Sequence, residues 1–468
     1  MKAFLVLFIA VFTIFNHPND VVVNEIELED HQKVESTFSG NISGDNSFHL
    51  IIAKNSDSKD YDVIPYLYQN DEIVKLKPFS FEKQPAILSF HNHGTQLSLV
   101  AQSKTGKSEI VNIIDVDLVS GEHIKSDAID MDDFKTLIRK KDKNLIVFAD
   151  KDAMKILEVK SSQEIKSISV HPDDTSSEFF KSLSKSGLDA INNDEFVANG
   201  SISTFRAYSD GKDIIITEEN TKEATTNSIQ IPLDKGDDIT VSSKSFSSNS
   251  GDSKIKKSTS YVNDGKLYQF KLGKEVAKLN VFGINDDSKT SLDILSTKPS
   301  HTGNAFKDTK DFVKNAAKNV NEPTVTINNT KDGQLKVRFV FVNKNVYNYR
   351  YDWWWHHQWH MQQMQMFMHQ QQQMRQSIPS FGPSEGYEYF FVIEENAFFE
   401  ITLDSSGHVH EGVSTESLYR DLDKKSYIKP LDDNKKLKHT STVFTDSKFR
   451  YITYNKREKS FKIIDKAL

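Results

Sequence analysis

The 468-residue chain contains no cysteine. That excludes disulfides, thiolate metal sites, iron–sulfur clusters and cysteine nucleophiles together. It has no excess of positive charge either: 59 Lys and Arg face 66 Asp and Glu, a formal net charge of -7. General nucleic-acid binding therefore has no electrostatic footprint here. No apolar run reaches the roughly 20 residues that a membrane helix needs. His-Glu-x-x-His, Gly-x-Ser-x-Gly and the dinucleotide glycine pattern do not occur. Thr105-Gly106-Lys107-Ser108 has the end of a phosphate-binding loop but Ala101 where its first glycine belongs, so it reads as a turn between strands.

What is present is bulky apolar surface. Aromatic residues make up 11% of the chain, with 31 Phe, enough for a sizeable core and too many for a disordered polymer. The N-terminus runs Met1-Lys2, then apolar residues from Ala3 to Phe15, then Asn16-His17-Pro18. One positive charge and about a dozen apolar residues fit a secretory signal peptide over residues 1–16, which predicts an extracellular protein. Three sequons, at Asn41, Asn199 and Asn328, are candidate N-glycan acceptors on that route.

Along the rest of the chain one pattern repeats. An apolar run meets a short Asn/Asp/Gly turn, and an alternating apolar strand follows. Copies begin near Ile51, Leu97, Leu145, Ile214, Tyr261, Phe339, Phe390 and Val443. Each reads as an antiparallel hairpin. Most of their spacings lie near the 40–50 residues of a four-stranded propeller blade. The pattern predicts an all-β fold: a β-propeller-like ring of about seven or eight blades, one domain over residues 21–468. The alternative is a tandem pair of β-sandwiches. Surface helices on loops are expected at Ser176–Leu183, capped by Ser176, and at Ala305–Val320, capped by Asn304, the latter inside an insertion at about 301–322. Shorter helical candidates are Met131–Lys141 and Ser414–Lys425.

One segment departs from this background. All 4 Trp of the chain lie at Trp353, Trp354, Trp355 and Trp359, within a Trp/His/Met/Gln-rich loop at about 350–385. Aromatic, uncharged and Gln-rich, it suits burial against a partner or another copy of the chain, with those four Trp and Phe367 as contact residues. The same segment carries His356, His357, His360, Met361, Met364, Met368 and His369. Imidazole and thioether donors together suit copper, so extracellular copper binding is an alternative. His91/His93 and His408/His410 have the i, i+2 spacing that puts two imidazoles on one strand face, compatible with metal ligation, but each pair lacks a third ligand and they read as exposed turn or strand-end histidines. Asp115-Val116-Asp117 and Asp130 to Asp133 lack the Gly and Glu of a calcium-binding EF-hand loop and read as solvated turns. The expectation is a secreted, non-enzymatic β scaffold presenting its odd loop to a macromolecular partner or an extracellular layer. A propeller enzyme with a channel active site is a second alternative, resting on fold analogy.

Overall fold

The computed structural model describes residues 20–221, 223–247, 255–302, 306–343, 398–405, 407–410, 416–432, 434 and 436–468. They form seven sheets, numbered here in chain order. Sheet 1 meanders through Gln32–Ser43, Asn46–Asn55, Tyr61–Gln69 and Glu72–Lys75. Sheet 2 does so through Ala86–His93, Gln96–Thr105, Ser108–Asp117 and His123–Lys125. Sheet 3 uses Phe134–Arg139, Asn144–Ala149, Met154–Val159 and Ile165–Pro172, and borrows Asp238–Val241 as a parallel edge. Sheet 4 is Leu188–Ile191, Phe205–Ser209, Asp213–Asn220, Thr225–Pro232 and Ser243–Phe246. Sheet 5 is Ile255–Asn263, Lys266–Gly273, Ala277–Gly283 and Lys289–Asp293. Sheet 6 pairs Asn321–Asn329, Leu335–Asn343 and Phe398–Leu403, with His301–Thr302 at its edge. Sheet 7 combines Lys438–Phe444, Lys448–Asn455 and Ser460–Ala467 with the N-terminal strand Val21–Glu27.

Consecutive strands joined by short turns, repeated sheet after sheet, are the blade pattern of a β-propeller, and the fold is propeller-like and all-β. Tandem sandwiches would instead exchange strands between two facing sheets in Greek-key order. Seven sheets arise from eight sequence repeats because two of the repeats share one sheet. Phe398–Leu403, from the repeat begun at Phe390, pairs with Leu335–Asn343, from the repeat begun at Phe339.

The chain packs as two compact units. The first holds sheets 1 and 7, from residues up to Pro85, Leu118–Glu122 and Lys425–Leu468. The second, Ala86–Asp117 with His123–Lys424, holds sheets 2 to 6. In each, alternate strand residues enter apolar clusters such as Ile51, Ile64, Ile452, Phe461 and Ile463 in the first, and Phe270, Val337, Phe339, Phe399 and Ile401 in the second.

Without disulfides, neighbouring sheets are tied by charged side chains that donate to backbone carbonyls. In the second unit Arg139 Nε reaches Phe90 O at 2.9 Å, Lys140 Nζ reaches Ser209 O at 3.0 Å, and Lys166 Nζ reaches Leu233 O at 3.1 Å. Arg206 Nη1 reaches Ser260 O at 2.7 Å, and Lys244 Nζ reaches Ile284 O at 3.1 Å. Charge-assisted bonds of this kind are about twice as strong as neutral ones. In the first unit the fully buried Arg450 forks onto Asp465 at 2.6 and 2.8 Å and donates across to Asp45 O and Ser47 Oγ, both at 2.9 Å. Its guanidinium lies 3.7 Å from the Tyr68 ring centre.

Helix α1 spans Ser177–Ser184 with Ser176 at its N-cap, as expected, although the Ser176 hydroxyl donates to Val241 O rather than accepting from the helix. Helix α2 spans Thr309–Ala316. Its cap is Asp308, which accepts from Asp311 N at 2.8 Å, whereas the expected cap Asn304 lies outside the described residues. Phe306 precedes the helix and meets Phe312 edge-to-face, with ring centres 5.2 Å apart. Two helical expectations are corrected. Phe134–Arg139 is a strand, with Thr136 and Ile138 buried, because Asn144–Ala149 offers a pairing edge that overrides a weak helical spacing. Residues 416–423 form no helix; helix α3, the third among the described residues, is Lys424–Asp432, with Pro430 in its last turn.

Candidate functional site

The Trp/His/Met/Gln segment enters the fold inside sheet 6. Leu335–Asn343 runs into it and Phe398–Leu403 returns from it, and the two strands remain in register from Leu335↔Leu403 to Val340↔Phe398. Trp353, Trp354, Trp355, Trp359 and Phe367 lie outside the described residues, as do His356, His357, His360, Met361, Met364, Met368 and His369. The paired strands at the root of the segment are described as far as Asn343 and from Phe398.

At that root Arg338 and Glu400 face each other across the hairpin, and Arg338 Nε donates to Glu400 Oε1 at 2.5 Å. Its Nη2 donates to Asp421 Oδ2 at 2.7 Å. The guanidinium is flanked by two rings, 4.4 Å from the Phe398 centre and 4.9 Å from that of Phe196. Burial opposes the charge on Arg338, but the carboxylates of Glu400 and Asp421 outweigh it and raise its pKa above the usual value. The arginine is held as a cation. His301, on the edge strand, sets its ring 5.5 Å from Phe398.

Phe196 belongs to a strap, residues 192–203, that links two strands of sheet 4. Tyr261 donates its hydroxyl to Asn193 Oδ1 at 2.6 Å, and Asn193 Nδ2 donates to Val262 O at 3.1 Å. Asp194 accepts from Lys140 at 2.7 Å and Glu195 from Lys424 at 3.0 Å. Val197 and Asn328 exchange two bonds, from Val197 N to Oδ1 at 2.8 Å and from Nδ2 to Val197 O at 3.0 Å. Beside this run Leu418 and Tyr419 stand exposed, at 49% and 36%. Burial raises the Tyr419 pKa, and the nearby Asp194 and Glu195 push the same way. The root thus brings fixed aromatic, cationic and anionic groups together beside the two strands that flank the segment.

Other sequence candidates resolve separately. The i, i+2 pair His91/His93 is split, and the exposed reading is corrected for His91, which is buried and spends both ring nitrogens, Nε2 on Lys160 O at 2.7 Å and Nδ1 on the amide of Asn144 at 2.8 Å. His93, His408 and His410 are exposed. Among the described residues no cluster of three or more His, Cys, Asp or Glu is placed to hold a metal ion. Asp115 is corrected from a solvated turn to a buried strand residue that accepts from Ser98 Oγ at 2.6 Å, Ser162 N at 2.7 Å and Ser162 Oγ at 2.6 Å. Thr105–Ser108 is a hairpin turn, as read, with Gly106 at a φ of 61°. Arg338, Glu400, Asp421, Phe196 and Phe398 were not singled out from the sequence. Their signal was present as one charge of each sign, Arg338 and Glu400, set inside two apolar runs.

No family model matches the chain, and no curated protein does. Among solved structures it is similar to one from a study of two prolyl endopeptidases, at a TM-score of 0.25 and 10% identity, over 67% of this chain and 55% of that one. The chain therefore spans little more than half the length of that protein. It is also similar to the β-propeller domain of the Trilobed protease from Pyrococcus furiosus, at a TM-score of 0.24 and 12% identity, over 69% of this chain and 98% of that domain. No helix among the described residues is long and apolar enough to cross a membrane.

Proposed function

We propose that this is a secreted, non-enzymatic binding or structural protein, in which a β scaffold presents the Trp353–Phe367 aromatic segment to a macromolecular partner or to other copies of itself in an extracellular layer. One observation carries the reading. The segment is inserted between two strands that stay paired in register, and its root is closed by the Arg338–Glu400–Asp421 cluster between Phe196 and Phe398. The described strands of sheet 6 all lie outside the segment, and an insertion between paired strands is a place where contact chemistry can reside at little cost to folding. Four indoles in seven positions concentrate apolar area of the kind that dominates interfaces.

Deleting Trp353–Gln376 tests this. The thermal transition is expected to stay where it is in the full chain, while self-association by sedimentation, or retention on extracellular matrix material, is lost. A deletion that unfolds the protein would place the indoles in the core and end the reading.

A further inference from the structure

Of the three sequons, two lie at the seam between the strap and the strand Asn321–Asn329. Asn328 is 5% exposed, and its amide is the partner of the Val197 backbone in both directions. Asn199 sits two residues further along the strap, with its Nδ2 buried and without a hydrogen-bond partner. Next to it Gly200 lies so close to the strand Asn321–Asn329 that a Cβ there would meet Thr324 Cβ and Val325 O at 2.9 Å. Ser201 and Ser203 then fasten the strap to Asp189. A glycan on Nδ2 of either Asn199 or Asn328 needs the volume that the strap and the strand already fill. A chain so modified cannot close the Val197–Asn328 lock.

Asn41 differs. It is half-exposed and stands at the tip of the first hairpin of sheet 1, where Ser43 and Gly44 are exposed. Its Nδ2 carries two hydrogens and donates to Gly44 O at 2.9 Å and Asn46 O at 3.3 Å. Glycosyl transfer from a lipid-pyrophosphate-linked oligosaccharide breaks the donor's C1–O bond, expels the lipid pyrophosphate and a proton, and forms an Nδ2–C1 bond in place of one N–H, leaving the other hydrogen to keep a turn contact.

We infer that Asn41 is the single N-glycan acceptor of the folded protein, and that the closed strap excludes Asn199 and Asn328. The inference rests on the secretory reading, so the experiment separates the two. The full chain is expressed in a eukaryotic secretory host behind a heterologous leader, and the secreted, folded fraction is analysed by endoglycosidase release and glycopeptide mass spectrometry. One glycan is expected, on Asn41. Asn41→Gln should remove it, and Asn199→Gln should leave the glycan count at one. A glycan on Asn199 or Asn328 in folded secreted protein, or an unmodified Asn41 in the wild type, overturns the inference. A parallel culture with the native N-terminus tests the routing: protein confined to the cell lysate there would end the secretory reading without altering the site map.

Discussion

His49 shows how a single residue can make the stability of this chain depend on pH. It is fully buried, between Ser39 Oγ at 2.7 Å and Ser47 Oγ at 3.2 Å, and its pKa is lowered to about 3 by burial and by the nearby Arg450 cation. The folded protein keeps the ring neutral, while the unfolded chain protonates it near the ordinary value of 6.5. Between those two values the unfolded state binds the extra proton. The contribution is therefore complete above about pH 6.5 and is lost as the pH falls toward 3, by roughly 1.4 kcal/mol per unit. Burial lowers the His91 pKa as well, which adds to the same slope. Urea unfolding is expected to show a loss of about 2 kcal/mol from His49 between pH 7 and pH 5. The loss should shrink in His49→Gln; equal pH slopes in the two proteins would contradict this account of the ring. At the root of the inserted segment, Glu400→Gln leaves Arg338 short of a full counter-charge. Removing one partner of a buried pair typically costs about 3–5 kcal/mol, and the exposed Asp421, which remains, places the expected loss toward the lower end of that range. Chemical denaturation measures it, and a loss indistinguishable from that of a surface substitution would show that the pair does not hold the root.

Elements are where sequence and structure meet most unevenly. Alternation of apolar and polar residues over short runs, broken by Asn, Asp and Gly, made the strands legible, because a strand with one or two buried faces imposes that period. Phe134–Arg139 misled because Met131, Phe134 and Ile138 also suit a helical face, and only the pairing partner decides between the two. The buried carboxylate of Asp115 was illegible for a related reason: its acceptors' donors, Ser98 and Ser162, come from separate strands and loops. Helix α2 was expected as a surface element, yet it buries Phe312, Val313 and Ala316 completely or nearly so. The Phe312 ring meets that of Phe399, on the returning strand of sheet 6, edge-to-face with centres 4.7 Å apart. Phe312→Ala should therefore cost about 3–5 kcal/mol in chemical denaturation, as expected for emptying an aromatic site in a packed core. A change under about 1 kcal/mol would mean that the helix is peripheral after all.

At the scale of the molecule, the absence of cysteine is answered by repetition. Each sheet buries its own faces, and Arg and Lys side chains carry the sheet-to-sheet bonds that disulfides supply in many secreted proteins. Repeat spacing exposed this plan in the sequence, since similar β units recur at similar intervals. The inter-sheet cations stayed hidden, because a lysine that reaches a distant carbonyl looks the same in sequence as one in solvent. The inserted segment stood out by composition alone, and its root, assembled from four separate stretches of chain around Arg338, did not. In the proposed function the scaffold and the contact segment are separable parts of one chain.

Because every tryptophan of the chain lies in residues 353–359, intrinsic indole fluorescence reports on the segment alone. The measurement that bears most directly on the proposal is acrylamide quenching of that emission in the isolated, folded monomer and again after self-association or partner addition. Solvent-exposed, red-shifted and readily quenched indoles in the monomer, becoming blue-shifted and protected in the assembly, are the predicted result. Indoles already blue-shifted and shielded from acrylamide in the monomer would contradict it.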